Sequence, residues 1–463
     1  MEELDAYYRS KSLWLDGLSQ SLAPRACLPG DRDFDVAIVG AGFTGLWTAY
    51  YLKLHAPQLR VAVVEREIAG FGPAGRNGGW VLGGMSGKAE IYARHTDAAT
   101  ISRGLWATYQ SGYDLERVIR KERIDCGFAR AGAVWVATTP AQEHRLRAAV
   151  AEMRKQGHSY DDVHLVERGS ADLVQIPGLR VACVDRRTAR VNPGQLVRGL
   201  AEACEQRGVH IFERTEALEI SPRSVRCSTG LIQATHVVRA TEAFTVQLPH
   251  ERRAVLPLYS LMIATEPLPA HVWHELRWPP ALLVHDRRHL FFYAQRTMDD
   301  RLAIGGRGAP YPLGNPINDS SERNATVQHR LRMAIRHHFP PVHEARITHT
   351  WGGPLAVPRD WCMSISYDRA TGVGHAGGYG GNGVSNAHLA GQTMADLILR
   401  RDTDRISLPW VGHVSPRWEP EPLRFLASQA IVRVLGSADR YEETSGRSAR
   451  RTALLSPFLP PSN

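Results

Sequence analysis

The segment that most constrains the fold runs from Asp35 to Glu65, where a buried strand, a glycine-rich turn and an apolar helix follow one another. Gly40 permits the bend after the strand, Gly42 lets the backbone approach a pyrophosphate, and Gly45 lets the helix pack closely on the strand. The helix N-terminus then points at the phosphates. Glu65 ends the second strand, where a carboxylate can accept ribose hydroxyls. This register of strand, helix and acid predicts a dinucleotide site.

The loop after this unit distinguishes between the two common dinucleotides, NAD and FAD. It carries five glycines between Ile68 and Trp80, and their amides can lie against a large planar cofactor. Arg76 adds a cation for a pyrophosphate or a substrate. FAD must extend beyond the first turn to place its flavin, whereas a nicotinamide enzyme has no use for such a loop. The segment therefore favours FAD.

At these residues the sequence resembles the D-amino-acid oxidase superfamily of flavoproteins. Within it, the sequence is most similar to the branch of the γ-glutamylputrescine oxidase and glycine or sarcosine oxidase-like enzymes. Residues 191–213, 237–243 and 377–384 extend the resemblance in family order. The chain departs from the family pattern at Pro73-Ala74, where the branch usually has Ala-Ser, and at Glu242, where relatives often carry asparagine.

The resemblance implies where each part of FAD binds. Backbone around Ala217 holds the adenine, Ala240 and Thr241 lie beneath the pyrophosphate, and the helix after Asn382 points its N-terminus at the flavin. There the helix dipole would favour the anionic reduced flavin. The predicted cofactor-binding residues are Gly40, Gly42, Phe43, Thr44, Gly45, Glu65, Arg66, Arg76, Asn77, Gly78, Gly79, Ala217, Ala240, Thr241, Gly378, Gly380, Gly381, Asn382, Gly383 and Val384.

We expect noncovalent FAD. Sarcosine oxidase relatives attach their flavin to a cysteine ahead of the final glycine motif. Cys362 is the only cysteine in that region here, and relatives place theirs farther upstream, where this chain has Trp351.

The interleaving of these motifs predicts a fold of the α/β class, which becomes α+β when the whole chain is considered. A Rossmann-like FAD-binding domain alternates in sequence with a substrate domain built on an antiparallel sheet. The FAD-binding domain is predicted at residues 34–88, 180–250 and 345–402, and the substrate domain at 89–179 and 251–344. Residues 1–33 are predicted to form an N-terminal wrapper and residues 403–463 a C-terminal helical tail.

Candidate strands of the substrate sheet are residues 133–138, 255–265, 290–293 and 301–305. Tyr259, Tyr293, Trp351 and Arg76 are the candidate catalytic residues, although an aromatic side chain in such a strand is more often part of the core. Arg296 and Arg301 hint at an anionic group on the substrate. His375 and His388, which flank the last glycine motif, are interpreted as packed or solvent-facing side chains.

The resemblance implies oxidation of a small amine or amino acid. Hydride passes from the α-carbon to the flavin, the imine hydrolyses to a carbonyl compound, and O2 is reduced to H2O2. Two alternatives stay open. The chain is an amine dehydrogenase or a secondary-amine N-demethylase with another acceptor, or it is the flavoprotein subunit of a larger complex. The absence of lysine after Lys155 favours the dehydrogenase or N-demethylase alternative, because some relatives activate oxygen with a lysine.

Composition narrows the remaining classes. The chain has 463 residues, and its 56 basic residues are dispersed among 47 acidic ones without a long basic run, which argues against nucleic acid. No apolar stretch predicts a membrane span. Six scattered cysteines and an acidic N-terminus suit a cytoplasmic protein without a metal site.

The apolar pattern of residues 423–435 predicts a helix over the domain or at a subunit interface, with an interfacial membrane helix as the alternative. The oligomeric state is left open.

Overall fold

The computed structural model describes residues 2–169, 174–306, 308, 310–314 and 317–459, and these form two eight-stranded β-sheets with flanking helices. The α-helices are α1 (Glu2–Arg9), α2 (Leu13–Asp16), α3 (Phe43–His55), α4 (Ala89–Tyr92), α5 (Ala98–Lys121), α6 (Pro140–Lys155), α7 (Pro193–Glu205), α8 (Ala270–Glu275), α9 (Ala325–His338), α10 (Gly383–Leu399) and α11 (Leu423–Ser445). The strands are β1 (Arg32–Val39), β2 (Val61–Val64), β3 (Trp80–Val81), β4 (Ala133–Ala137), β5 (Val163–Glu167), β6 (Val181–Asp185), β7 (Ala189–Arg190), β8 (Val209–Phe212), β9 (Ala217–Ser221), β10 (Ser224–Cys227), β11 (Gly230–Arg239), β12 (Leu256–Thr265), β13 (Leu283–Asp286), β14 (Phe292–Arg296), β15 (Leu302–Gly306), β16 (Ile347–Val357), β17 (Ser364–Asp368) and β18 (Val373–Gly377).

The first sheet has the order β17-β18-β11-β1-β2-β8, with β10 and β9 joined to β11 as a hairpin extension. Strands β18, β11, β1, β2 and β8 run parallel to one another. Val36, Ile38 and Val63 are fully buried, as expected for strands of a parallel sheet that is covered on both faces. This sheet confirms the predicted Rossmann-like architecture.

Two helices that begin at predicted glycine motifs, α3 and α10, pack beside each other against this sheet. His388 on α10 is buried between them and α5, with Nε2 2.7 Å from the Tyr51 hydroxyl and Nδ1 2.8 Å from Ser111 Oγ. Burial lowers the pKa of His388 to about 3. His375 on β18 is hydrogen-bonded to Ser364 and Ser366, and burial lowers its pKa to about 4. Both histidines are therefore neutral packed side chains.

The second sheet has the order β16-β12-β15-β14-β13-β4-β6-β5. All neighbouring strands in this order are antiparallel except β13 and β4, which are parallel. The four strands that the sequence indicated correspond to β4, β12, β14 and β15, with ends shifted by a few residues. The predicted antiparallel substrate sheet is thus present.

Two strands shift the expected domain boundaries. Residues 181–185 form β6 and residues 347–357 form β16, and both strands pair within the second sheet instead of the FAD-binding domain. The FAD-binding domain also gains its first residues from the predicted wrapper, because β1 begins at Arg32. Pairing between strands distant in the chain decides these boundaries.

The N-terminal wrapper packs on the glycine-rich loop that follows β2. Ser12 Oγ donates to the Gly75 carbonyl and the Trp14 indole donates to the Asn77 carbonyl, both at 2.8 Å.

The C-terminal tail contains α11 as its main helix, while its last residues, 460–463, lie outside the described part of the chain. Among the described helices, none combines the length and apolar character that crossing a membrane requires.

Candidate active site

A large cavity brings the predicted cofactor residues and the substrate sheet around one space. Its volume is about 950 Å³, near the top of the range of about 300–1,000 Å³ that is usual for ligand and cofactor sites. Loops of the first sheet line one part, strands β12 and β14 with the end of β13 line another, and α11 lines a third. The cavity is therefore a composite of both sheets and the C-terminal tail.

The turn between β1 and α3 requires glycine at two positions. Gly40 has φ +107°, and a Cβ built on it would lie 2.5 Å from the Ala240 carbonyl oxygen. A Cβ on Gly45 would lie 2.0 Å from the Gly40 carbonyl oxygen. Gly42 precedes α3 at the cavity wall, and no side chain caps the helix. The first-turn amides of α3 can therefore donate to a phosphate, so this wall fits the pyrophosphate of FAD.

Glu65 occupies the end of β2 and lines the cavity. Its Oε2 accepts a hydrogen bond from the Ala41 amide at 2.9 Å, and its Oε1 accepts one from the Glu67 amide at 3.0 Å. Burial raises the pKa of the Glu65 carboxyl above its usual value. Each oxygen keeps a second lone pair for a ribose hydroxyl. Ala217 lines the cavity as well, so the wall has residues suited to the adenosine half of FAD.

A second helix N-terminus reaches the cavity beside the first. Gly380 and Gly381 lead into α10 with φ +57° and +123°, and the side chain of Asn382 does not cap the helix. The Tyr379 hydroxyl lies 2.8 Å from Thr44 Oγ1 in the first turn of α3. This hydrogen bond joins two helix N-termini, whose partial positive charges favour an anion or a developing negative charge in the cavity.

Most of the predicted cofactor residues line this cavity. Three glycines do not: Gly45 packs α3 on β1, Gly79 (φ +69°) turns the loop beside the Val191 carbonyl, and Gly378 donates its amide to Glu242. The predicted residues that line the cavity are Gly40, Gly42, Phe43, Thr44, Glu65, Arg66, Arg76, Asn77, Gly78, Ala217, Ala240, Thr241, Gly380, Gly381, Asn382, Gly383 and Val384.

Glu242 has a structural role that the sequence did not reveal. Its Oε1 accepts a hydrogen bond from the Gly378 amide at 3.1 Å, which ties the turn after β11 to the last glycine loop. Its backbone has φ +44°, which is uncommon for a residue other than glycine. Burial raises the pKa of the Glu242 carboxyl to about 7, although amides of Gly378, Ala356 and Tyr379 pull it down. A carboxyl that titrates near neutral pH therefore lines the cavity.

Arg76 has a different setting from the predicted one. It is buried, forms an ion pair with Glu322, and donates from Nε to the Phe71 carbonyl at 2.6 Å. Its charge is therefore balanced within the protein, while its Nη2 has no hydrogen-bond partner among the described residues and Arg76 lines the cavity. Asn77 shapes the same loop, since its Oδ1 accepts from the Gly79 amide at 2.8 Å.

Tyr259 and Tyr293 line the cavity from the second sheet, as the strand assignment predicted. The Tyr293 hydroxyl lies 2.7 Å from Ser260 Oγ, and its ring meets Trp80 edge to face at 6.3 Å. Burial raises the pKa of both Tyr259 and Tyr293 to about 12. A Cβ on Gly78 would lie 2.8 Å from the Tyr293 ring, so the glycine-rich loop packs directly on this tyrosine.

Three other candidates lie away from the large cavity. The Trp351 indole donates to the Arg76 carbonyl at 2.9 Å and lines a separate cavity of about 280 Å³ that also contacts Lys11. Arg296 is ion-paired with Asp300 at 2.7 Å, and Arg301 with Asp299 at 2.5 Å. None of these three candidates lines the large cavity, so the structure does not support their predicted substrate contacts.

Two groups of cavity residues were missed by sequence reasoning. One is a basic group formed by Arg145 on α6 and Arg287, Arg288 and His289 after β13. The other is one face of α11, whose apolar periodicity was visible in the sequence although the surface it covers was not. The α11 residues that line the cavity are Leu423, Ala427, Ser428, Ile431, Val432 and Leu435.

Two groups of described residues bring potential metal-ligating atoms within 4.8 Å of one another. In Asp360, Cys362 and His413, the His413 Nε2 lies 2.8 Å from Asp360 Oδ2. The second group, His289, Asp439 and Glu442, belongs to the ion-pair network that holds α11. Hydrogen bonds and ion pairs account for the positions of both groups.

The glycine turns, the paired helix N-termini and the cavity between two sheets define a flavin-dependent oxidoreductase. The chain belongs to the DAO family of FAD-dependent oxidoreductases, which it matches over residues 35–397. This match confirms the superfamily resemblance and identifies FAD as the cofactor.

Individual relatives agree with this assignment. The chain is 29% identical over 394 residues to the probable oxidoreductase OrdL of Rhizobium meliloti (strain 1021), covering 81% of this chain and 86% of the relative. It is 28% identical over 414 residues to the γ-glutamylputrescine oxidoreductase of Escherichia coli (strain K12), covering 87% and 91%. The crystal structure of glycine oxidase from Geobacillus kaustophilus superposes with a TM-score of 0.67 at 21% identity, covering 80% and 96%. The crystal structure of L-proline dehydrogenase from P. horikoshii superposes with a TM-score of 0.66 at 18% sequence identity, and the match covers 83% of this chain and 98% of that one.

Proposed function

We propose that this chain oxidises the C–N bond of a small amine or amino acid to an imine, which hydrolyses to a carbonyl compound. The observation that carries the proposal is the composite cavity, in which the cofactor wall faces Tyr259 and Tyr293 of the second sheet. Similar proteins named γ-glutamylputrescine oxidoreductase, glycine oxidase and sarcosine oxidase subunit β support this substrate class.

Bound FAD would supply the hydride acceptor, and the chain supplies a space for the amine that is lined in part by aromatic rings. Trp80, Tyr293, His285 and Phe291 form an aromatic wall, with the His285 and Phe291 rings stacked at 4.5 Å. Low polarity disfavours an ammonium ion and lowers the pKa of a bound amine. The wall therefore favours the neutral amine, whose nitrogen lone pair assists loss of hydride from the adjacent carbon.

The two tyrosines are proposed to orient the substrate. Because their pKa values are near 12, both phenols are protonated at neutral pH and act as hydrogen-bond donors, not as bases. Arg76, with its charge balanced by Glu322, is proposed to hold the glycine-rich loop in place rather than to contact the substrate.

We infer that O2 is the electron acceptor and that FAD is bound noncovalently in a cytoplasmic enzyme. The oxidase names among similar proteins support the acceptor, and Cys362 is buried outside the cavity wall. One observation favours the alternative, an amine dehydrogenase, an N-demethylase or a flavoprotein subunit with another acceptor: among the described cavity-lining residues there is no lysine. The fold is also shared with L-proline dehydrogenase.

Anaerobic titration of the purified flavoprotein with a panel of amines tests the proposal. Loss of flavin absorbance at about 450 nm with one class of amine, followed by recovery in air with stoichiometric H2O2, is the expected result. Reduction without rapid reoxidation by air would support the dehydrogenase alternative. Failure of every primary and secondary amine to reduce the flavin would contradict the proposed function.

A further inference from the structure

The helix α11 forms one wall of the cavity although it lies beyond residues 35–397, the part of the chain that matches the family. Its cavity-lining residues recur with helical periodicity, so they form one face of the helix. All of them are apolar except one serine: Leu423, Ala427, Ser428, Ile431, Val432 and Leu435. The Ser428 hydroxyl donates to the Arg424 carbonyl of the same helix at 2.8 Å. This face therefore offers a ligand mainly hydrocarbon.

Two anchors hold α11 across the second sheet. In the first half of the helix, Phe425 packs against an apolar cluster that contains Leu256, at the start of β12. In the second half, Asp439 accepts a hydrogen bond from the Leu290 amide at 3.0 Å. A Cβ on Gly436 would lie 3.5 Å from Leu290 Cδ1, so the helix backbone also packs closely on this side chain. The helix therefore reaches from β12 to the turn between β13 and β14.

The strand register shows at which end of the sheet α11 lies. Gly305 of β15 pairs with Met262 of β12 on one side and with Tyr293 of β14 on the other, so these three residues form one row. Strands β12 and β14 run in the same direction, because both are antiparallel to β15. Leu256 precedes the row by six residues and Leu290 precedes it by three. Both anchors therefore lie beyond the same end of the row, by about 10 Å or more along the strands.

Phe291 connects the row of Tyr293 with that end of the sheet. The centre of its ring lies 6.5 Å from that of Tyr293 and 4.5 Å from that of His285. Phe291 and its neighbour Leu290, which contacts α11, both line the cavity. Aromatic rings thus border the cavity from Tyr293 to Phe291, and the apolar face of α11 continues the wall beyond them.

The acids that hold α11 to this turn are paired with basic side chains. Three acids of α11 and three basic residues take part, and the pairs are Asp439 with Arg288, Glu442 with Arg145 and His289, and Glu443 with Arg288. The charges in these pairs compensate one another within the protein. A charged ligand group buried beside the α11 face would lose its hydration without gaining a partner from these pairs, whereas a hydrocarbon group loses nothing of this kind.

We propose that the part of the cavity between Phe291 and the Ile431 face of α11 binds an uncharged, apolar group of the substrate. The substrate class is then an amine that carries an alkyl or aryl group several carbons away from the reacting C–N bond, and not a small zwitterionic amino acid. The inference rests on the proposed function, because it takes the amine to react beside Tyr293.

Two series of amines with matched lengths test this apolar subsite. One series consists of n-alkylamines from propylamine to decylamine, and the other of ω-amino carboxylates of the same lengths. Each compound is used as the primary amine and as its N-methyl derivative, and the second-order rate constant of anaerobic flavin reduction is measured. We expect this rate constant to rise by about threefold per methylene over part of the alkylamine series. The longest alkylamines should exceed the matched carboxylates by about tenfold or more.

Ile431→Asn places a polar amide on the apolar face of α11. It should lower the ratio of the rate constants for the longest and the shortest alkylamines by about tenfold. Leu426→Asn is the matched control, because it makes the same kind of change on the same helix at a side chain that is 57% exposed and does not line the cavity. The control should keep the wild-type ratio. Phe291→Ala removes the facing ring from a different element and should also lower the ratio, which tests the subsite even if Ile431→Asn disturbs α11.

The outcomes separate the subsite from the proposed function. Rate constants that do not rise with alkyl length, or that are higher for the carboxylates at every length, would overturn the subsite and leave oxidation of the C–N bond standing. Equal ratios in Ile431→Asn and Leu426→Asn would overturn the subsite as well. No reduction of the flavin by any member of either series would overturn both the subsite and the proposed function.

Discussion

Thr44 and Tyr379 are hydrogen-bonded through their hydroxyls at 2.8 Å, although they lie 335 positions apart in the chain. Thr44 belongs to the first turn of α3, and Tyr379 precedes α10 in the last glycine loop. The bond therefore fixes the distance between the two helix N-termini that face the cavity. Burial raises the pKa of the Tyr379 hydroxyl well above its usual value, so this hydroxyl stays protonated at any working pH.

Removing this hydrogen bond should weaken FAD binding. We expect Tyr379→Phe to lower FAD affinity by about fivefold, because one buried hydrogen bond contributes about 1 kcal/mol. Fluorescence of released FAD on dilution measures the dissociation constant. Tyr367→Phe is the control, since it deletes a hydroxyl that is bonded to His236 outside the cavity. Equal affinities for both variants would contradict the role of the bond.

Gly40→Ala should abolish FAD binding and destabilise the fold. The added Cβ would lie 2.5 Å from the Ala240 carbonyl oxygen on a backbone with φ +107°. Gly30→Ala is the matched control, because Gly30 also has positive φ (+93°) but no atom within 4 Å of the added Cβ. The control should lose about 1–2 kcal/mol from backbone strain alone and keep its flavin. Urea unfolding and flavin content per chain distinguish the two effects.

The Glu242 carboxyl should make the stability of the apoprotein depend on pH. Its pKa is about 7 in the folded chain against 4.5 usually, so the folded state holds a proton that the unfolded state releases. The contribution of this group is fully present below about pH 4.5 and is lost as the pH rises through about 7. Glu242→Gln should remove this part of the pH dependence.

Thermal unfolding of the wild-type and Glu242→Gln apoproteins across this pH range measures the effect. The difference between the two melting temperatures should change in favour of the glutamine variant as the pH rises. Glutamine keeps an oxygen that can accept the Gly378 amide, so the backbone tie is preserved. A difference that does not vary with pH would show that Glu242 titrates normally.

Glu442 should anchor α11 through its charge. Burial alone would raise the pKa of this carboxyl, but hydrogen bonds from His289 and the Ala449 amide, together with Arg145, lower it to about 2. The shift of the Glu442 pKa from 4.5 to about 2 corresponds to about 3 kcal/mol in the free energy of unfolding. This contribution is present above pH 4.5 and is lost as the pH falls toward about 2.

Glu442→Gln should therefore lower the free energy of unfolding at neutral pH by about 3 kcal/mol in urea titrations, because it leaves Arg145 without its carboxylate. Glu443→Gln changes the same charge one residue later at a more exposed position, and it should cost less than about 1 kcal/mol. Hydrogen exchange over residues 423–445 should speed up in the first variant alone. Similar losses in both would argue against a specific anchor at Glu442.

Tyr293→Phe should change substrate binding without changing the pH profile. Because the pKa of Tyr293 is near 12, its phenol donates a hydrogen bond and does not titrate in the working range. We expect KM for the amine to rise several-fold, consistent with loss of about 1 kcal/mol, while the pH dependence of kcat/KM keeps its shape. Tyr441→Phe, at an exposed position on α11, is the control. Loss of one limb of the pH profile would instead identify Tyr293 as a titrating group.

The sequence by itself determined the dinucleotide unit, the choice of FAD, the family and the two kinds of sheet. Each of these depends on local information: glycines at positions that permit no other side chain, strand and helix periodicity, and an acid at a strand end. Strands such as β12 and β15 were predicted for the same reason, because alternation and turn residues are read within a few positions.

Only the tertiary structure decided which side chains face the cavity and which are neutralised elsewhere. Arg76 and Glu322 are 246 positions apart, and Arg145 and Glu442 are 297 positions apart. No local pattern predicts such pairs, so the sequence could not tell that Arg76 is balanced internally. The apolar periodicity of α11 predicted a helix with one packed face. Which part of the protein that face lies against depends on the turn between β13 and β14, to which α11 is hydrogen-bonded through Asp439. Charge balance and cavity walls are long-range properties, since they arise when distant segments pack together.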